Sequence, residues 1–204
     1  MTTLPTGVPP TPAAPPAAPV RPPDLGTPPC IGVDPGAKWT AAVLRVGDYA
    51  EHGWTMGPID RRGVLDSAAL DDVDDWYAIQ RYMVKMLTGL DQLVDYATDR
   101  YGAVRVGVET PKVPVGYQPN SRLANRLPMG EWLLPKLFTA AVIGAYPASR
   151  LVLPDKLGRR PATEYPRELR GTRPPGWGPN EARRGERDHE RAAYDIAGLA
   201  AVMP

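Results

Sequence analysis

Three acidic residues stand where a carboxylate can be held rigidly in front of a reacting group: Asp34, Glu109 and Asp195. Asp34 belongs to the tetrad Val33-Asp34-Pro35-Gly36, at the end of the apolar run Cys30-Ile31-Gly32-Val33. Such a run reads as a buried strand. Pro35 fixes its own φ and removes a donor, and Gly36 permits dihedrals that other residues resist, so the chain turns sharply behind the carboxylate. Glu109 ends the alternation Val104-Arg105-Val106-Gly107-Val108. Asp195 lies in the helical stretch Ala192 to Ala200, where an unpaired carboxylate among Ala, Ile, Gly and Leu is expensive. Magnesium prefers hard oxygen ligands and keeps several waters, so a few Asp or Glu and a substrate phosphate suffice to hold it. Two such ions about 4 Å apart can activate an attacking water and stabilise a leaving oxygen. Asp34 is the natural bridge between them. Neither His52 nor His189 has a convincing nucleophile partner, so no Ser-His-Asp or Cys-His arrangement competes.

Basic residues flank these acids. Lys112, Arg122 and Arg126 follow Glu109, with Tyr117 among them as a base-stacking candidate. A stretch rich in Pro, Gly and Arg runs from Pro154 to Arg187 and carries nine Lys/Arg against five Asp/Glu. It is longer than a compact domain usually tolerates without a functional reason. Arg159, Arg160 and Arg173 are its candidate phosphate contacts. Both stretches adjoin the acids, which suggests a cradle for phosphates around an acidic centre.

The elements that must position these residues read β, β, β, α, β, α, β, long loop, α. Trp39 to Leu44 and Tyr49 to Met56 form two strands around the Gly47-Asp48 turn. An acidic linker with Asp66, Asp71, Asp72, Asp74 and Asp75 leads into a long helix, whose dipole those acids complement. Trp76, Ile79, Met83, Met86, Leu87, Leu90, Leu93, Val94 and Ala97 give that helix its three- and four-residue spacing. Val104 to Glu109 is the fourth strand, a second helix runs from about Met129 to Ala145, and Leu151-Val152-Leu153 is a short fifth strand. Residues 1–29 stand apart as a disordered, partly polyproline-II tail, with eleven prolines and only Arg21 and Asp24 charged. Residues 30–204 then form one α/β domain.

Composition narrows the function classes. The formal net charge of +1 gives no global argument for a polyanionic partner, so any basic surface must be local. The single cysteine, Cys30, excludes an internal disulfide and a Cys-cluster zinc site, which suits a reducing cytoplasm. No apolar run approaches the roughly 20 residues of a membrane span, and the N-terminus lacks the basic start and apolar block of a secretion signal. A soluble, cytoplasmic protein is expected.

Ile31-Gly32-Val33-Asp34-Pro35-Gly36, Val106-Gly107-Val108-Glu109 and Tyr194-Asp195-Ile196-Ala197-Gly198-Leu199-Ala200, with this order of elements, resemble the RuvC family of Holliday-junction resolvases, within the RNase H-like superfamily. The resemblance covers roughly residues 30 to 203. It implies an RNase H-like mixed five-stranded sheet flanked by helices. It also implies metal-binding roles for Asp34, Glu109 and Asp195, with two magnesium ions (manganese as a substitute). The activity it implies is nicking of branched DNA, a four-way junction, by a homodimer. The family usually has an acid or His three residues before the final Asp, and this chain has Ala192 there. The nearest acid on a matching helical face is Asp188, since seven residues rotate a helix by about 700°, with about 10 Å between the Cα atoms. Asp188 is therefore the fourth candidate ligand, or else the helix N-cap. Arg191 is placed to neutralise a phosphate or pair with Asp195. Glu190 projects from another face, and His189 reads as a surface or helix-start residue. Two rival functions are a catalytically degenerate nucleic-acid-binding relative and an actin-like ATPase or sugar kinase, whose two-lobed fold needs about twice this length; within the nuclease class, a related flap or RNA–DNA hybrid nuclease is the alternative.

Overall fold

The computed structural model describes residues 26–66, 68–112, 129–177 and 186–204. Their elements are β1 (Cys30–Pro35), β2 (Thr40–Val46), β3 (Tyr49–Met56), α1 (Trp76–Tyr101), β4 (Arg105–Glu109), α2 (Met129–Ala145), β5 (Arg150–Val152) and α3 (Glu186–Val202). That is the order the sequence predicts. Most of the Pro-rich tail, residues 1–25, lies outside the described residues. Pro29 already belongs to the sheet, because its carbonyl accepts the Arg105 N–H at 3.0 Å.

The five strands form one mixed sheet in the order β3-β2-β1-β4-β5. β1 runs antiparallel to β2 and parallel to β4, and β4 runs parallel to β5. Between β2 and β3 the chain turns at Gly47, whose φ of 59° favours glycine. α1 starts where Asp75 accepts the Ala78 N–H at 3.0 Å, and it ends at Gly102, φ 81°, whose N–H bonds to the Thr98 carbonyl. Of the acidic linker, Asp75 thus serves as a cap.

Side-chain alternation divides the core. Ile31, Val33, Ala42, Leu44, Val106 and Val108 face α1 and α2 and bury Tyr82, Met86, Leu90 and Phe138 there. The opposite face carries Cys30, Gly32, Ala41, Val43 and Gly107, and α3 lies on it through Ala193, Ile196, Ala197 and Ala200. Gly32 and Gly107 are register partners on adjacent strands. A Cβ on Gly32 would overlap the Ala193 carbonyl oxygen and stand 2.5 Å from the Ala197 nitrogen. One on Gly107 would overlap the Ala200 Cβ. Two glycines in the sheet and a row of alanines on α3 therefore let helix and strands touch backbone to backbone. That close seat fixes where the start of α3 meets the ends of β1 and β4.

The long basic stretch is more ordered than a solvated loop. Residues 154–177 contain two short 3-10 turns, Ala162–Glu164 and Arg167–Leu169. They bury Tyr165, Leu169 and Trp177 against Ala41, Val43 and Ala50. The Trp177 carbonyl accepts the Thr55 N–H at 2.7 Å, which ties the segment to β3. Among the described residues, no helix is long and apolar enough to cross a membrane.

Candidate active site

Asp34 is the fifth residue of β1, on the same side of the sheet as Gly32, and Glu109 ends β4 on the same side as Gly107. Because β1 and β4 are parallel neighbours, both carboxylates leave the sheet at the same end and toward α3. α2 steadies the end of β4, since Thr139 donates its hydroxyl to the Glu109 carbonyl at 3.0 Å. On the far side, the Thr110 N–H bonds to the Val152 carbonyl at 2.9 Å.

The two acids are neighbours: Glu109 and Asp34 end adjacent parallel strands and line the same cleft. Burial is the largest cause that pushes Glu109 up to about 7, and the neighbouring Asp34 charge pushes in the same direction. His189, in the first turns of α3, completes the group with Nδ1 at 2.8 Å from Asp34 Oδ2. Burial works to lower the His189 pKa. The Asp34 hydrogen bond and charge, with Asp188 and Glu109, outweigh it and hold the ring toward its protonated form. Gly36 is required for this approach: a Cβ there would overlap the Trp39 carbonyl oxygen and stand 2.9 Å from His189 Cε1. Its φ is outside the left-handed region, so Gly36 supplies room rather than an unusual dihedral.

These residues open into a cleft of about 770 Å³. Asp155, Lys156, Gly158, Arg159 and Arg160 line one side, and Asp188, Arg191 and Ala192 line the α3 side. Lys156 holds φ 54°, a left-handed conformation that costs a non-glycine residue on the order of 1 kcal/mol. Cys30, one strand position from Ile31, is buried and its thiol is pushed up to about 12, so it offers no thiolate.

The structure does not bring Asp195 to this group. Its Oδ2 accepts the Gly158 N–H at 3.0 Å and the Tyr165 hydroxyl at 2.8 Å, and its Oδ1 pairs with Arg160. α3 rests on the sheet through His189, Ala193 and Ala197, and Asp195 projects toward segment 158–165. Asp188 is on the cleft but exposed, and it pairs with Arg191 Nη1 at 3.0 Å. Asp188 lies within the helix Glu186–Val202 and is not its N-cap.

Among the basic candidates, Arg159, Arg160 and Arg191 line the cleft. Arg173 is a correction: its side chain is 2 % exposed and pairs with Glu190 at 2.5 Å, so it braces the fold instead of meeting a phosphate. Lys112 is exposed beyond β4 and outside the cleft lining. Tyr117, Arg122 and Arg126 lie outside the described residues. His189 is the second correction. It does stand at the start of the helix, as one of the two readings has it, but it is half-buried and turned onto Asp34 instead of lying on the surface. Lys156 also enters the site, and no motif in the chain announced it.

Among the described residues, no three His, Cys, Asp or Glu side chains converge as a ready-made site. The core is a pair of hard carboxylates in one cleft, where the Asp34 charge raises the pKa of Glu109, and a divalent cation relieves that repulsion. Asp34 and Glu109 fit magnesium in that sense, and Asp195 does not join them. No protein-family model matches the chain, and no curated protein matches it.

Proposed function

We propose that this protein is a cytoplasmic, magnesium-dependent endonuclease of RNase H-like type that cleaves branched DNA as a homodimer. One observation carries the reading. Two carboxylates from adjacent parallel strands stand at the sheet's end, inside a cleft rimmed by Lys156, Arg159, Arg160 and Arg191. The strand order and the single antiparallel partner of β1 in this sheet agree with the RNase H-like expectation. Magnesium, when bound by Asp34 and Glu109, would supply charge neutralisation and an activated water. Asp188, on the same cleft, is the acid we assign to a second ion. His189 fixes the orientation of Asp34 through Nδ1, which leaves Nε2 as the nitrogen able to exchange a proton with substrate. The basic rim would hold the phosphates on either side of the scissile one.

A second reading is favoured by a specific observation. Ala192 lines the cleft where the resemblance expects an acid, and Asp195 is neutralised by Arg160. Both suit a relative that binds branched DNA without cutting it. Incubating purified protein and magnesium with labelled four-way junction, flap, duplex and RNA–DNA hybrid substrates separates the two. Metal-dependent nicking of the junction, lost in Asp34→Asn, supports the nuclease. Tight binding without any cleavage selects the accessory reading.

A further inference from the structure

We propose that Asp195 serves the cleft by building its basic lip and not by holding a cation, and that this lip grips a polynucleotide phosphate through Arg160. The inference rests on the nuclease reading above. Both oxygens of Asp195 are spent on one segment of chain. Gly158 and Tyr165 donate to Oδ2 at 3.0 and 2.8 Å, and Arg160 pairs with Oδ1. A single carboxylate thus ties both ends of segment 158–165 to α3. For magnesium to take that carboxylate it would have to displace a guanidinium and two further donors.

The packing explains why the segment can come so close. Gly158 has φ 73°, and a Cβ there would stand 2.6 Å from the Asp188 carbonyl oxygen and 3.0 Å from the Ala192 nitrogen. Ala192 contributes by being small, because its own Cβ is 3.2 Å from that same position. The residue that departs from the expected pattern is thus a small one at the place where Gly158 approaches α3.

Arg160 is held on two sides. Its guanidinium lies 4.3 Å above the Tyr165 ring and pairs with Asp195, while the side chain stays 42 % exposed and lines the cleft with Asp34 and Glu109. A guanidinium offers five donors in a fixed fork; Asp195 takes one at Nη2 and the Glu164 carbonyl accepts from Nη1 at 3.5 Å. The remaining donors suit a phosphate oxygen, and preorganisation by Asp195 and Tyr165 lowers the entropic cost of binding it. Lys156 and Arg159 sit on the same lip and add charge. Asp195 is a positioning residue in this scheme, and Arg160 is the phosphate contact.

The test uses the full chain, magnesium chloride alone as metal probe and a labelled four-way DNA junction as polynucleotide probe. D195N is expected to leave the magnesium titration within about twofold of wild type and to lower the slope of log affinity against log salt by about one unit, as R160A does. The double variant should bind the junction no more weakly than R160A alone, since both act through one contact. Tyr165→Phe keeps the ring, removes one bond to Asp195, and should weaken junction binding less with magnesium binding intact. Magnesium binding lost in D195N as it is in Asp34→Asn would overturn the proposal, and so would a full salt slope in R160A. If D195N does not fold, R160A and Tyr165→Phe decide: junction affinity unchanged in both overturns it. Wild-type protein that binds neither magnesium nor junction refutes the nuclease reading itself. Wild-type binding of both, with magnesium lost only in D195N, refutes the role given to Asp195 alone.

Discussion

Asp34 carries most of the chemistry proposed for this site. It ends the strand beside Glu109 and meets His189 Nδ1 at 2.8 Å. Asp34→Asn is nearly isosteric but removes the charge that holds a cation, so cleavage should fall by at least about 100-fold with folding intact. Rates of junction nicking by the purified variant check this. The closeness of Glu109 to Asp34 also makes a pH prediction with a definite sign. Glu109 titrates higher in the folded chain than in the unfolded one, so the native state holds the extra proton between about 4.5 and about 7. His189 is also raised, and its contribution is likewise full at low pH and lost as pH rises through its folded pKa. Without divalent cations, stability should therefore fall as pH rises from about 4.5 past 7, by at most about 1.4 kcal/mol per pH unit for each group. Chemical denaturation across that range measures it. Glu109→Gln should flatten the slope, and magnesium should raise the melting temperature more at pH 8 than at pH 5.

At the scale of elements, the site depends on how closely α3 lies on the sheet. The helix seats on glycines, and its first turns then carry His189 to Asp34. Gly32→Ala cannot be absorbed by a flexible side chain, because the added Cβ meets helix backbone at Ala193 and Ala197. Overpacking of this kind costs about 1–3 kcal/mol, and a backbone clash belongs at the upper end. Urea unfolding of G32A should show that loss. Any residual activity should fall further than stability, since a shifted helix also moves His189. Gly36→Ala adds a second effect: its Cβ meets the Trp39 carbonyl oxygen and His189 alike, so both unfolding free energy and cleavage should fall.

For the whole molecule, a buried ion cluster locks the basic segment to the domain. Glu190 is fully buried and meets Arg173 at 2.5 Å, Arg187 at 2.7 Å and the Thr55 hydroxyl at 2.7 Å. Those partners come from the basic segment, α3 and β3, so one carboxylate joins three parts of the chain. Removing one partner from such a group leaves buried charge uncompensated and costs about 3–5 kcal/mol. Glu190→Gln should show that loss in denaturant titration. Limited proteolysis of the variant should cut first within 154–177, because Trp177, Leu169 and Tyr165 lose the pin that keeps them seated. Protection equal to wild type would show that apolar burial alone holds the segment.

How much of this was legible in the chain differs by element and by residue. The strands, α1 and α2 follow from period-two and three-to-four spacing, because burial on a face is a property of local pattern. Asp34 and Glu109 were legible for the same reason: each ends an apolar strand, and strand ends at one edge of a parallel pair are neighbours by construction. Asp195 was not, since helical spacing says which residues share a face and nothing of which face meets the sheet. The glycines at 32 and 107 and the alanines at 193, 197 and 200 made that choice, and they turned His189 inward and Asp195 toward segment 158–165. Arg173 was misread because a charge in a Pro- and Gly-rich stretch gives no sign of a buried partner distant in sequence. The sequence alone determined that two carboxylates stand at the sheet's end. Only tertiary packing decided which residue of α3 joins them, because that depends on contacts between segments no local pattern records.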